Sequence, residues 1–244
     1  MKRYGLFFLT AFLFSYGICQ AESLTLDLGS GSGSFSARLI QMLILFTVLS
    51  LAPSIVIMVT SFTRFIVVFS FLRSALGLQQ SPPNVVLVSL AIFMTGFVMS
   101  PVFETAYTQG IKPLMEEKID EMQAFDKVSG PLKTFMLKNV REKDLELFAT
   151  LSKQNTQQSS PAQELSLFVV VPAFIISELR RSFEIGFVLF LPFLIIDMVV
   201  ASILMAMGMM MLPPVMIALP FKLIFFVLVD GWNLVTESLL KSYN

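Results

Sequence analysis

Seven ionisable side chains lie within apolar sequence: Glu178, Arg180, Arg181, Glu184, Asp197, Lys222 and Asp230. Facing lipid, such a group is costly, so it points to a protein interior, a partner or water. Carboxylates and cations this close in an apolar setting can do acid–base work, form ion pairs or line a conduit. The acid–base option has little to work with. The chain has no histidine, which removes Ser-His-Asp and Cys-His catalysis, HExxH zinc chemistry and a histidine proton switch. Its single cysteine, Cys19, excludes an internal disulfide and a cysteine metal cluster. No Gly-rich phosphate loop and no paired-Asp protease motif is found. The reading is of a protein that is not an enzyme and needs no metal or cofactor. Glu178 and Lys222, near the far ends of two apolar arms, are expected to pair. Arg180, Arg181 and Asp197 are expected to be buried charges that pack inside a larger assembly, or else to form a belt at a helix end.

Methionine is the second chemically distinctive feature. Seven of the 15 methionines fall between Met198 and Met216. Thioethers are flexible and polarizable, so they adapt to irregular contents. Met209, Met210 and Met211 follow Gly208 and precede Pro213 and Pro214. Three in a row cannot share one helix face. Supplied by several copies around an axis, they make a soft apolar constriction, which ions cross poorly. Ordinary packing between membrane helices is the alternative.

The elements that must position these groups follow from the charge distribution. Of 244 residues, 55% are hydrophobic and 14% charged, with zero net charge. Soluble domains carry about 25% charged residues. Eighteen of the 34 charges lie between Glu104 and Glu164. No charge lies between Arg38 and Arg64, or between Arg73 and Glu104. Leu39 to Thr63, 25 residues, and Asn84 to Phe103, 20 residues, are therefore long enough to span, and residues 38–103 form a first membrane hairpin. The connection from Ser61 to Pro83 holds Arg64 and Arg73 and no acid, which places it in the cytoplasm.

Residues 1–21 resemble a secretory signal peptide: Lys2 and Arg3, a short apolar run, then Cys19-Gln20-Ala21. A first membrane anchor is the alternative. Residues 22–37, with Gly-Ser repeats, form a flexible linker. Residues 104–164 are then periplasmic, with amphipathic helical patterns over Met115–Phe125, Pro131–Asn139 and Asp144–Leu151, punctuated at Gly130-Pro131. A loop is expected over Lys153–Ala162. The charges of this segment are a solvated face or a docking surface. Residues 165–244 form a C-terminal membrane hairpin. One arm runs from about Glu184 to Met207, the tip from Gly208 to Pro214, and the other arm from Val215 to Trp232. Hydropathy alone counts four spans.

Long strings then carry a resemblance. Leu51-Ala52-Pro53-Ser54, Thr60 to Arg64, Leu72 to Gly77 and Gln79 to Asn84 resemble the FliP family, as do Phe193 to Asp197, Met207 to Pro214, Leu219 to Lys222 and Asp230 to Trp232. The likeness covers roughly residues 38–240; Val85 departs from the glutamine expected there. It implies an all-α integral membrane protein of kinked helical hairpins with an α-helical periplasmic segment, built to oligomerise into a helical gate. The implied role is a pore-forming subunit of the flagellar type III protein export gate, passing unfolded flagellar subunits across the bacterial inner membrane in the basal body. Several copies with FliQ-like and FliR-like subunits, an FlhB-like subunit nearby and the basal-body ring around them are the implied partners. The methionine gasket at Met209, Met210 and Met211 is likewise implied, as is the expectation that not every apparent span crosses lipid. A virulence-branch paralogue, an independent ion or solute channel and a passive assembly scaffold are the rival readings. Nothing in the sequence points to nucleic acid.

Overall fold

The computed structural model describes residues 35–152, 165–209 and 211–243. The expected signal peptide, most of the linker and the loop over Lys153–Ala162 lie outside the described residues. Residues up to Ser50 and residues from Leu51 onward form separate compact units. The described residues are built from helices: α1 (Phe35–Met58), α2 (Phe62–Ala75), α3 (Asn84–Ala106), a π-turn (Tyr107–Ile111), α4 (Lys112–Met115), α5 (Glu121–Asn139), α6 (Glu142–Leu151), α7 (Leu167–Ala206), α8 (Pro214–Leu228) and α9 (Gly231–Lys241). Phe35 to Ala37 already belong to α1, because they continue directly into its apolar run.

The second unit is organised around α2, the segment read from the sequence as a cytoplasmic connection. Its apolar residues recur at helical spacing: Phe65, Val68, Phe69, Leu72, Ala75 and Leu76 are all buried. Against them pack Leu87, Ala91 and Met94 of α3, Phe193 of α7, Phe226 of α8 and Leu239 of α9. Arg64 at the start of α2 is fully buried, so it is not a charge that the positive-inside rule counts. The helix ends in a Schellman turn, with Gly77 at φ +77° and the amide of Leu78 donating to the Arg73 carbonyl.

The largest departure from the sequence reading is α7. The arm expected to begin near Glu184 begins at Leu167, and 40 residues form one helix through Pro172, the charged cluster and Pro192. Two short apolar runs become one element because the charges between them divide by face. Glu178 points into the core, while Arg180, Arg181 and Glu184 are exposed. Such a helix is about 60 Å long, twice the ~30 Å hydrocarbon core, so only part of it can lie in lipid. Its first turns instead pack Val170 and Phe174 against Met136 of α5, with Leu132 and Leu145 around them. Ser177 joins α6 to α7, accepting from the Arg141 amide at 3.1 Å and donating to the Asp144 carboxylate at 2.7 Å.

Among the described residues three helical stretches are long and apolar enough to cross a membrane: Leu39–Met58, Asn84–Met115 and Leu167–Ala206. A fourth candidate, Pro214–Leu228 with Gly231–Lys241, is bent by 63°. The bend falls at Asp230, whose φ is +50°.

The charged segment also differs in its punctuation. Helix α5 runs straight through Gly130-Pro131, because residues on both sides of the proline, Ala124 and Met136, are anchored by burial. Asp120 caps it, accepting from the Gln123 amide at 2.7 Å. The π-turn brings Gly110 against α5 so closely that a Cβ there would lie 2.5 Å from Val128 Cγ2 and 3.2 Å from the Ala124 carbonyl oxygen. Gly110→Ala is therefore expected to cost about 1–3 kcal/mol, read as a melting temperature lowered by several degrees in detergent. An unchanged melting temperature would show that α5 is free to move away.

Candidate functional site

The hairpin of α7 and α8 carries most of the residues singled out in the sequence. Its turn is set by Gly208, at φ +73°. The Gly208 amide donates to the Met205 carbonyl and the Met209 amide to the Leu204 carbonyl, each at 3.0 Å, which closes α7 as a Schellman motif. Pro213 then stands at the N-cap of α8 and Pro214 in its first turn, where a missing N–H costs nothing. Gly208, Pro213 and Pro214 thus build the expected tip. Met211 at that tip is 98% exposed and Met209 44%. Met210 lies outside the described residues. Met198, Met205, Met207 and Met216 are exposed along the arms. Among the described residues Met211 is left almost wholly uncovered, and a single copy does not make a constriction.

Behind the tip, the two arms are tied by one ion pair. Lys222 Nζ donates to Asp197 Oδ2 at 2.6 Å and to the Ala75 carbonyl at 3.0 Å. The lysine is buried and the aspartate half-buried. Asp197 Oδ1 has no partner among the described residues. The expected pairing of Lys222 with Glu178 is therefore replaced by Lys222 with Asp197. The reason is register: Asp197 lies 11 residues before Gly208 and Lys222 lies 8 after Pro214, and packing of the two antiparallel arms brings them level. Glu178 is level instead with the end of the chain. Alanine at Lys222 or at Asp197 is expected to destabilise the hairpin, and the double replacement to cost less than the sum by about 0.5–3 kcal/mol. Thermal denaturation of the purified variants measures this; strict additivity would mean that the pair does not couple the arms.

Glu178 is held by a second, fully buried constellation. Arg64 grips it in a bidentate fashion, with Nε donating to Oε2 at 2.9 Å and Nη2 donating to Oε1. Both side chains have zero exposure. Arg64 Nη1 also donates to the Ser242 carbonyl at 3.1 Å and to its hydroxyl oxygen at 2.8 Å. The guanidinium lies over the Tyr243 ring, 3.6 Å from its centroid, and Phe135 of α5 stacks on the same ring at 5.8 Å. The Tyr243 hydroxyl donates to Glu178 Oε2. Burial, reinforced by the adjacent Glu178 carboxylate, pushes the phenol far above the usual tyrosine range, so it stays a donor. Two charges in such a site are tolerated because nearly every polar atom has a partner. The constellation joins α2, α5, α7 and the C-terminus at one point. Arg64, Ser242 and Tyr243 were not singled out as site residues in the sequence, although Arg64 is one of only two charges in the Ser61–Pro83 connection.

Arg180 and Arg181 are not buried in this chain. Arg180 Nε meets Glu184 Oε1 at 2.9 Å, both being more than half exposed, and Arg181 is exposed. Helical spacing turns Arg180 about 200° away from Glu178 around α7, while Arg181, three residues on, flanks the Glu178 face but reaches solvent.

Residues 45–239 match the model of the FliP family. The chain is 59% identical over 222 residues to the flagellar biosynthetic protein FliP of Caulobacter vibrioides, covering 91% of this chain and 82% of that one. It is 50% identical to the protein of that name from Agrobacterium fabrum, over 93% and 94% of the two chains. To the one from Bacillus subtilis it is 52% identical, over 84% and 91%. The matched residues include the hairpin and, of the buried constellation, Arg64 and Glu178, and the chain belongs to the FliP family.

Proposed function

We propose that the chain is a pore-forming subunit of the flagellar type III protein export gate. It works as several copies in the inner membrane, within the flagellar basal body, and passes unfolded flagellar subunits. FliQ-like and FliR-like subunits complete the gate, with an FlhB-like subunit and the basal-body ring around it. The N-terminal segment is removed as a signal peptide. One observation carries this reading: the hairpin of α7 and α8 displays Met211 at its tip almost fully exposed, with Met209 partly exposed beside it. A structural scaffold has no use for a soft, uncovered apolar tip. Multiple copies would bring such tips together as a seal, and methionine side chains can move aside for a passing chain.

Native mass spectrometry of the full chain co-expressed with its FliQ-like and FliR-like subunits tests this reading. The expected result is a discrete complex with several copies of this chain. A monomer or dimer that ignores those subunits would overturn it and favour an independent channel.

A further inference from the structure

Two surfaces of the charged lobe are uncovered and chemically complementary. The first is a groove of about 790 Å³ between α3 and α5, bounded at one end by Leu240 and Tyr243. Its walls are apolar at Phe97, Pro101 and Phe135, and Lys127 and Lys138 line it. Residues eleven apart on a helix differ by only about 20°, so both lysines stand on one stripe of α5. Asp126 is the acid beside them, leaving the groove net basic. The second surface is the turn from α4 into α5. Met115 is 74% exposed, Met122 72% and Phe125 60%. The intervening sequence holds Glu116, Glu117, Asp120 and Glu121 against Lys118 alone. Lys118 engages Glu116 at 2.6 Å and Asp120 caps α5, while Glu117 and Glu121 pair with no cation among the described residues. Large apolar side chains this exposed, in the most charged part of the chain, mark a contact surface.

We propose that the groove receives the Met115–Phe125 segment of a second copy of this chain. One chain cannot make this contact with itself. Phe125 precedes Lys127 by two residues, which turns it about 200° away around α5. The two surfaces are different, so the contact is head-to-tail, and repeating it around an axis builds a multi-copy ring or helical array. Lysines of the groove facing Glu117 and Glu121 set the orientation. Met115 and Met122 adapt to the irregular apolar walls. The inference rests on the multi-copy reading above and names the surfaces that join the copies.

The test is cross-linking in membranes holding the full chain with its FliQ-like and FliR-like subunits. In a Cys19→Ser background, Met122→Cys and Thr134→Cys are introduced singly and together, and a short bis-maleimide is added. The expected result is a ladder beyond dimer in the double variant only. Lys127→Glu with Lys138→Glu should abolish it, and adding Glu117→Lys with Glu121→Lys should restore it. Dimers from Met122→Cys alone would show a like-to-like contact and overturn the proposal. So would the absence of a ladder where native mass spectrometry still finds several copies, including the case in which an anionic lipid is retained in the groove. That last pattern leaves the gate reading intact, whereas the absence of any multi-copy complex defeats both.

Discussion

Arg64→Ala should cost about 3–5 kcal/mol, because it strands the Glu178 carboxylate in a site with no exposure. It also removes both donors to Ser242 and the cation over Tyr243. A domain has about 5–15 kcal/mol in all, so most of the protein should fail to accumulate. Glu178→Ala should act similarly by stranding the guanidinium. The informative variant removes the charges together. Arg64→Met with Glu178→Leu and Tyr243→Phe leaves little unpaired, and apolar replacement of a buried ion pair is often neutral or stabilising. The amount of full chain in membranes and its melting temperature in detergent are the readouts. Near-parent stability of Arg64→Ala would mean that water reaches Glu178, and the hub described above would not exist. If the triple variant is folded but secretes poorly, the constellation has a role beyond stability.

The second large effect concerns ion leak. Replacing Met209, Met210 and Met211 together by alanine removes the thioethers but leaves Gly208, Pro213 and Pro214 to build the turn. Met211 is 98% exposed and Met209 44%, so the fold loses little packing at Met211 and some at Met209, and the copies are still expected to assemble. A closed constriction that loses about 1.4 kcal/mol of its barrier passes ions tenfold faster. Three side chains per copy, multiplied around an axis, should exceed that. Ion flux across membranes holding the assembled complex measures the effect, with native mass spectrometry confirming the copies. Unchanged leak in assembled complexes would remove the sealing role. Selective conductance by this chain alone would support the channel reading, and no effect on leak or secretion would support a scaffold.

The hairpin tip was legible because glycine and proline act locally. Gly208 closes α7 through its own backbone freedom, and Pro214 starts α8 through its fixed φ, so the turn is written in a few consecutive residues. The spans were legible for the same reason, since uncharged stretches between Arg38 and Arg64 or Arg73 and Glu104 need no tertiary information. The extent of α7 was not. Its continuity depends on where each charge between Glu178 and Glu184 points, and Glu178 can turn inward only because Arg64, more than a hundred positions earlier, is there to meet it.

The sequence by itself determined that this is a helical membrane protein with a methionine-rich turn and the strings of the FliP family, because composition and local breakers carry that information. Tertiary structure alone decided that the presumed cytoplasmic connection is the buried helix at the centre of the fold. It also decided which charges are partners: Glu178 with Arg64 and Tyr243, and Lys222 with Asp197, while Arg180 and Arg181 stay exposed. Charge pairing in a low-dielectric interior depends on which atoms packing brings within about 3 Å, and that distance is a property of the assembled helices rather than of any one of them.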